Sequence, residues 1–132
     1  MADGDIVRKV RVSGAGGPVS VEVLFGFALV GVYRIFLWDA NRQFQQIAFG
    51  DNVDHEPDVH VVPQASASLG TFQLSYETQT ESPKAGGGQS YSVSILVRQD
   101  GRIVHNGHIE RSGRLPETNS KSTIGFVQFE VV

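Results

Sequence analysis

Tyr91-Ser92-Val93-Ser94-Ile95-Leu96-Val97-Arg98-Gln99-Asp100-Gly101-Arg102-Ile103-Val104 decides how the rest of the chain is read. Tyr91, Val93, Ile95 and Val97 recur at every second position, with serines and Arg98 among the residues between, which is the period of a strand with one buried and one wet face. Asp100-Gly101 then interrupts the pattern. A two-residue hairpin turn needs positive φ at both central residues, and this pair accepts it at low cost. The segment therefore reads as two antiparallel strands, the second running over residues 102–110.

Outward from this hairpin the same period repeats. Phe72, Leu74 and Tyr76 alternate with Thr71, Gln73, Ser75 and Glu77. Val19, Val21 and Val23 alternate with Ser20 and Glu22, and Ile6, Val10 and Val12 oppose Val7, Lys9 and Arg11. Residues 29–38 carry Tyr33, Ile35 and Leu37 on one face and Val32, Arg34, Phe36 and Trp38 on the other, so bulk on both faces predicts a central strand covered on both sides. Asp39-Ala40-Asn41-Arg42 has the composition of a turn, after which residues 43–49 return antiparallel, and a short strand follows near residues 58–62. Glycine-rich stretches at 13–18 and 81–89 read as loops. The last strand, residues 122–131, has bulk on both faces and calls for cover on both sides or for a partner at an edge.

No capped window of helical period interrupts this series. Roughly nine strands, about ten residues apart with turn chemistry between them, predict an all-β fold. The expectation is a single domain over residues 1–132, an antiparallel β-sandwich of jelly-roll or immunoglobulin-like type with no substantial helix. No Cys-Trp-Cys frame, internal repeat or family-specific motif selects a topology.

Composition narrows the partners. The 132 residues hold 11 Lys plus Arg against 14 Asp plus Glu, and the net charge of -3 argues against a broad phosphate-binding surface. Nucleic acid is not expected. The absence of cysteine removes disulfides, thiolate nucleophiles and Cys-based metal sites, so stability rests on packing and hydrogen bonds. The apolar run at residues 23–33, preceded by Arg8, Lys9 and Arg11, superficially resembles a secretory signal. It starts late, carries Glu22 at its edge, lacks a small-residue cleavage site and stops at Arg34, short of the ~20 residues of a membrane helix. It reads as buried strands, and the chain is expected in the cytoplasm with no membrane span.

The densest cluster of chemistry is Asp51-Asn52-Val53-Asp54-His55-Glu56-Pro57-Asp58-Val59-His60. Asp51, Asp54, Glu56 and Asp58 are hard oxygen ligands of the kind calcium takes, about six to eight at a time, and His55 and His60 are candidate transition-metal ligands. The segment lacks the glycine and terminal glutamate of the helix-loop-helix calcium pattern, and the plainer reading is a solvated loop between strands. His105 and His108, three apart on an extended strand, are expected on opposite faces. No nucleophile elbow or phosphate-cradling loop is present, since neither glycine run precedes the required Lys-Ser/Thr. Trp38, the only tryptophan, ends a strand beside Asp39 and Asn41; a flat ring next to hydrogen-bonding side chains is what sugar recognition requires, although closure of the core is the commoner use of such a residue.

These residues lead to a non-catalytic binding or assembly domain that contacts a protein partner or a second copy of itself. The alternative is a carbohydrate-binding module or lectin, with Trp38, Asp39 and Asn41 as platform and calcium as an aid at Asp51, Asp54, Glu56 and Asp58. A small β-sandwich hydrolase is a third class and requires a histidine and a carboxylate brought together from separate strands.

Overall fold

The computed structural model describes residues 6–27, 30–51, 58–83 and 86–132. Among these residues nine strands follow in order: β1 (Ile6–Val12), β2 (Val19–Gly26), β3 (Val30–Trp38), β4 (Phe44–Asp51), β5 (Asp58–Val61), β6 (Gln73–Glu81), β7 (Ser90–Gln99), β8 (Arg102–Arg114) and β9 (Ser120–Val131). A short 3-10 helix (Ser66–Thr71) precedes β6, where the sequence shows only a run of small residues. The β7–β8 hairpin forms as its sequence predicts. Asp100 and Gly101 take φ of 54° and 78°, and Gln99 pairs with Arg102 across the turn.

The sandwich does not form. The strands make one nine-stranded sheet in the order β4-β3-β6-β9-β1-β8-β7-β2-β5, curled into a nearly closed barrel whose free edges, β4 and β5, approach each other. Alternation fixes only that each strand has one buried face, which holds equally for two stacked sheets and for one sheet rolled on itself. The choice is made by β1. It pairs with β9 over seven residues and with β8 at Arg11↔His105, so the halves that would face each other as separate sheets are hydrogen-bonded into one. Its pairing with β9 is parallel, so the fold is not wholly antiparallel either.

Two further expectations change with this topology. β9 lies mid-sheet between β6 and β1, so it offers no free edge to a partner, while outward Ile124 stays exposed and Phe126 half-buried. β3 is second from an edge, and its outer face is only partly covered: Phe36 and Trp38 are half-buried, while Val32 and Arg34 are exposed.

The barrel interior is a continuous apolar core that includes Val10, Val21, Ile35, Leu74, Ile95 and Val127. One end is closed by the 3-10 helix, whose Leu69 is fully buried, and by the loop after β1. Gln99 holds that loop in place. Its Oε1 accepts from the Ser13 N–H at 2.8 Å, and its Nε2 donates to the carbonyls of Ser13 (2.8 Å) and Gly17 (3.0 Å). Towards the other end the inward residues turn polar, with Thr78, Thr80, Thr123 and Arg111 all buried. Thr78 and Thr123 share a hydrogen bond there, and Arg111 donates to the carbonyl of Ile124 at 3.3 Å.

Candidate binding face

The outer surface of β4-β3-β6-β9 holds the most exposed large side chains that lie together on neighbouring strands. Odd-numbered residues of β3 point inward, so Val32, Arg34, Phe36 and Trp38 point out. On β4 a bulge between the Ile35 and Phe36 pairings changes the phase, so that Phe44, Gln46 and Phe49 all stand opposite outward residues of β3. Phe49 is 66% exposed and Phe44 59%. Phe49, Arg34, Glu77 and Ile124 line up across four strands. With Val32 and Gln79 they border a shallow depression of about 360 Å³.

Beside this apolar area the rings interlock. The centroids of Trp38 and Phe44 are 4.6 Å apart at 35°, and those of Phe36 and Phe44 are 5.7 Å apart at 80°, an edge-to-face contact. The Trp38 indole N–H donates to Ser75 Oγ at 2.8 Å. Asp39 Oδ1 accepts from the backbone N–H of Asn41 (2.8 Å) and Gln43 (3.0 Å), which shapes the turn in which Arg42 takes a φ of 60°. Trp38 and Asp39 are thus neighbours at the end of β3, each with a structural bond, and Asn41 is exposed in the turn. Beyond Trp38 the outer face becomes polar, and a groove of about 550 Å³ runs past Asp39, Arg42, Gln73, Gln128, Lys9 and Glu130. Sequence reading does not single out Gln73 or Gln128, because glutamine on a wet strand face is ordinary until the register puts two of them side by side.

The acidic segment is only partly in view. Asp51 ends β4 and is half-buried, and Asp58 begins β5, so these two carboxylate residues flank the connection between the edge strands. Asp54, Glu56 and His55 lie outside the described residues. Among the described residues no group of three or more His, Asp or Glu stands close enough to hold a metal ion. His60 faces inward at the barrel seam and bonds the Tyr33 hydroxyl. His105 and His108 are both exposed, not split between the faces. β8 bulges between its pairings Arg98↔Ile103 and Leu96↔His108, with Asn106 at φ 61°, and the extra residues reset the alternation that simple counting assumes.

No family model and no curated protein matches this chain. The fold has a counterpart among solved structures. The barrel resembles a DUF4425 family protein. That protein, from Bacteroides ovatus, is 10% identical with a TM-score of 0.50, and the match covers 83% of this chain and 96% of the other. A DUF4425 domain of unknown function from Bacteroides vulgatus is 8% identical with a TM-score of 0.41, over 85% of this chain and 94% of that one. At such identity the likeness to the DUF4425 protein of B. ovatus is one of fold alone. Among the described residues no helix is long and apolar enough to cross a membrane.

Proposed function

We propose that this chain is a non-catalytic binding domain that docks a protein partner on the outer face of β4-β3-β6-β9. The observation that supports this most is the exposure of Phe49 and Phe44, on the same sheet face as the exposed Val32 and Ile124. Isolated apolar residues on a surface need no explanation, but several contiguous ones rimmed by polar groups mark interaction sites. Arg34 and Glu77 stand between Phe49 and Ile124 in the cross-strand row, with Gln79 beside them, so the face interleaves apolar and polar groups, and exposed aromatic side chains of this kind are enriched in protein contacts. The face offers apolar area where a reacting site offers converging ionisable groups, and that contrast favours binding over catalysis.

Affinity capture from the producing cells with the wild-type chain and with a Phe49→Ser variant tests the reading. Proteins held by the wild type and lost by a variant that melts at the same temperature support it. Identical captured sets would remove this face from consideration.

A further inference from the structure

Trp38, Gln73, Gln128 and Lys9 stand in one cross-strand row over β3, β6, β9 and β1. Gln73, Gln128 and Lys9 of this row line a groove of about 550 Å³ together with Asp39, Ala40 and Arg42 of the turn, and Trp38 stands beside it at the end of the row. We propose that this groove is a second site, separate from the apolar area around Phe49, and that it binds a neutral oligosaccharide. Three observations carry this.

The first is size. About 550 Å³ falls within the roughly 300–1,000 Å³ typical of small-ligand sites. The second is charge. The groove's lining sets two cations, Lys9 and Arg42, against two carboxylates, Asp39 and Glu130, with Arg11 beside it 3.5 Å from Glu130, so the lining itself carries no net charge with which to select a phosphate, an acidic sugar or a polyamine. A ligand that is polar but uncharged fits that balance. The third is hydrogen-bonding capacity. Among the described residues, the side-chain amides of Gln73 and Gln128 make no bond to protein, and they sit directly opposite each other on adjacent strands. Each amide presents both a donor and an acceptor, the complement of sugar hydroxyls, which also do both. Trp38 ends the row beside the groove, half-buried, with its N–H fixed on Ser75 and its ring 4.6 Å from that of Phe44, so it neighbours the site without lining it.

The chain holds a single tryptophan, and it pairs across strands with Gln73, so its emission reports on the groove from the adjacent position. The protein is titrated with cellohexaose, xylohexaose and mannohexaose, and with hexagalacturonate and inorganic phosphate as charged comparators, following Trp38 emission and heat in a calorimeter. At least one neutral hexasaccharide is expected to bind saturably and to shift the emission. Gln73→Ala and Gln128→Ala are each expected to weaken it by about tenfold, the scale of one or two lost hydrogen bonds. Phe49→Ser, in the apolar area, leaves it unchanged. No saturable binding of any neutral saccharide at millimolar concentration overturns the proposal. So does a charged comparator that binds as tightly as the best neutral one, or binding that survives a folded Gln73→Ala/Gln128→Ala variant. The protein-docking reading stands or falls separately, on Phe49, which lies apart from Trp38 and the groove.

Discussion

The Tyr33 hydroxyl lies 2.5 Å from His60 Nε2, and this bond spans the seam between the edge strands β4 and β5, where the described residues form no backbone ladder. Tyr33 projects inward from β3, passes beneath Gly50 of β4 and meets β5 on the far side. A Cβ at position 50 would come within 2.6 Å of the Tyr33 ring, so glycine there is what lets the phenol through. Side chains close the seam where strands do not.

Tyr33→Phe is therefore expected to lower stability by about 1–2 kcal/mol, the worth of a buried hydrogen bond plus the penalty on its abandoned partner. Urea denaturation measures this. Hydrogen exchange should show faster amide exchange in residues 58–61 than anywhere in β7. Gly50→Ala forces the phenol to move and is expected to cost more than Tyr33→Phe. An unchanged midpoint for both variants would mean that the seam contributes nothing to holding the barrel.

Gln99 is 8% exposed and makes three hydrogen bonds to the backbone of residues 13 and 17. Gln99→Leu keeps the bulk but leaves those groups unpaired, with an expected loss of about 1–3 kcal/mol. Proteolysis should then cut first in the 13–18 loop. Resistance there equal to wild type would show that the loop is held by other means.

The exposed phenylalanines differ from these. Phe49→Ser should change stability by no more than about 0.5 kcal/mol, the usual range for surface positions, whereas Phe44→Ser loses ring contacts with Trp38 and Phe36 and should cost about 1 kcal/mol or more; each should weaken capture of a partner. A melting temperature lowered by several degrees for Phe49→Ser would reassign that residue to the fold.

For the connection between β4 and β5, a solvated loop predicts that calcium leaves the melting temperature unchanged and that Asp54→Asn changes it within the range of surface substitutions. An ion bound at a hundredfold excess over its dissociation constant would add about 2.7 kcal/mol. A calcium-dependent rise, reversed by chelator and lost in Asp54→Asn, would turn this loop into a metal site.

Local chemistry was legible and global closure was not. Asp100-Gly101 announces its hairpin because both left-handed φ values are local properties of two residues. The valines at 19, 21 and 23 announce an inward face for the same reason, and all three are buried. Nothing local tells Val10 and Val12 that their strand runs parallel to β9 and ties the sheet into one piece, since neighbours far apart in sequence leave no mark on a period of two. The bulge before Gly107 shows the complementary failure: one irregular stretch resets the count, and His108 lands on the same exposed side as His105. At the candidate face, Trp38 and Asp39 could be picked from their adjacency. Gln73 and Gln128, 55 positions apart by subtraction, needed the β6–β9 register to bring them together.

The parallel pairing of β1 with β9 also sets an order of events during synthesis. Of the nine described strands β1 leaves the ribosome first, yet its neighbours are β8 and β9, which follow the other six. Until residue 131 has emerged, Val10 and Val12 have no wall to face, and the hairpins β3–β4 and β7–β8 must wait as separate pieces. Closure of loops this long places folding among the slow, non-local topologies, on a scale of about milliseconds to seconds. For most of its translation this protein is a chain with an orphaned first strand, and that interval is when a chaperone has something to hold.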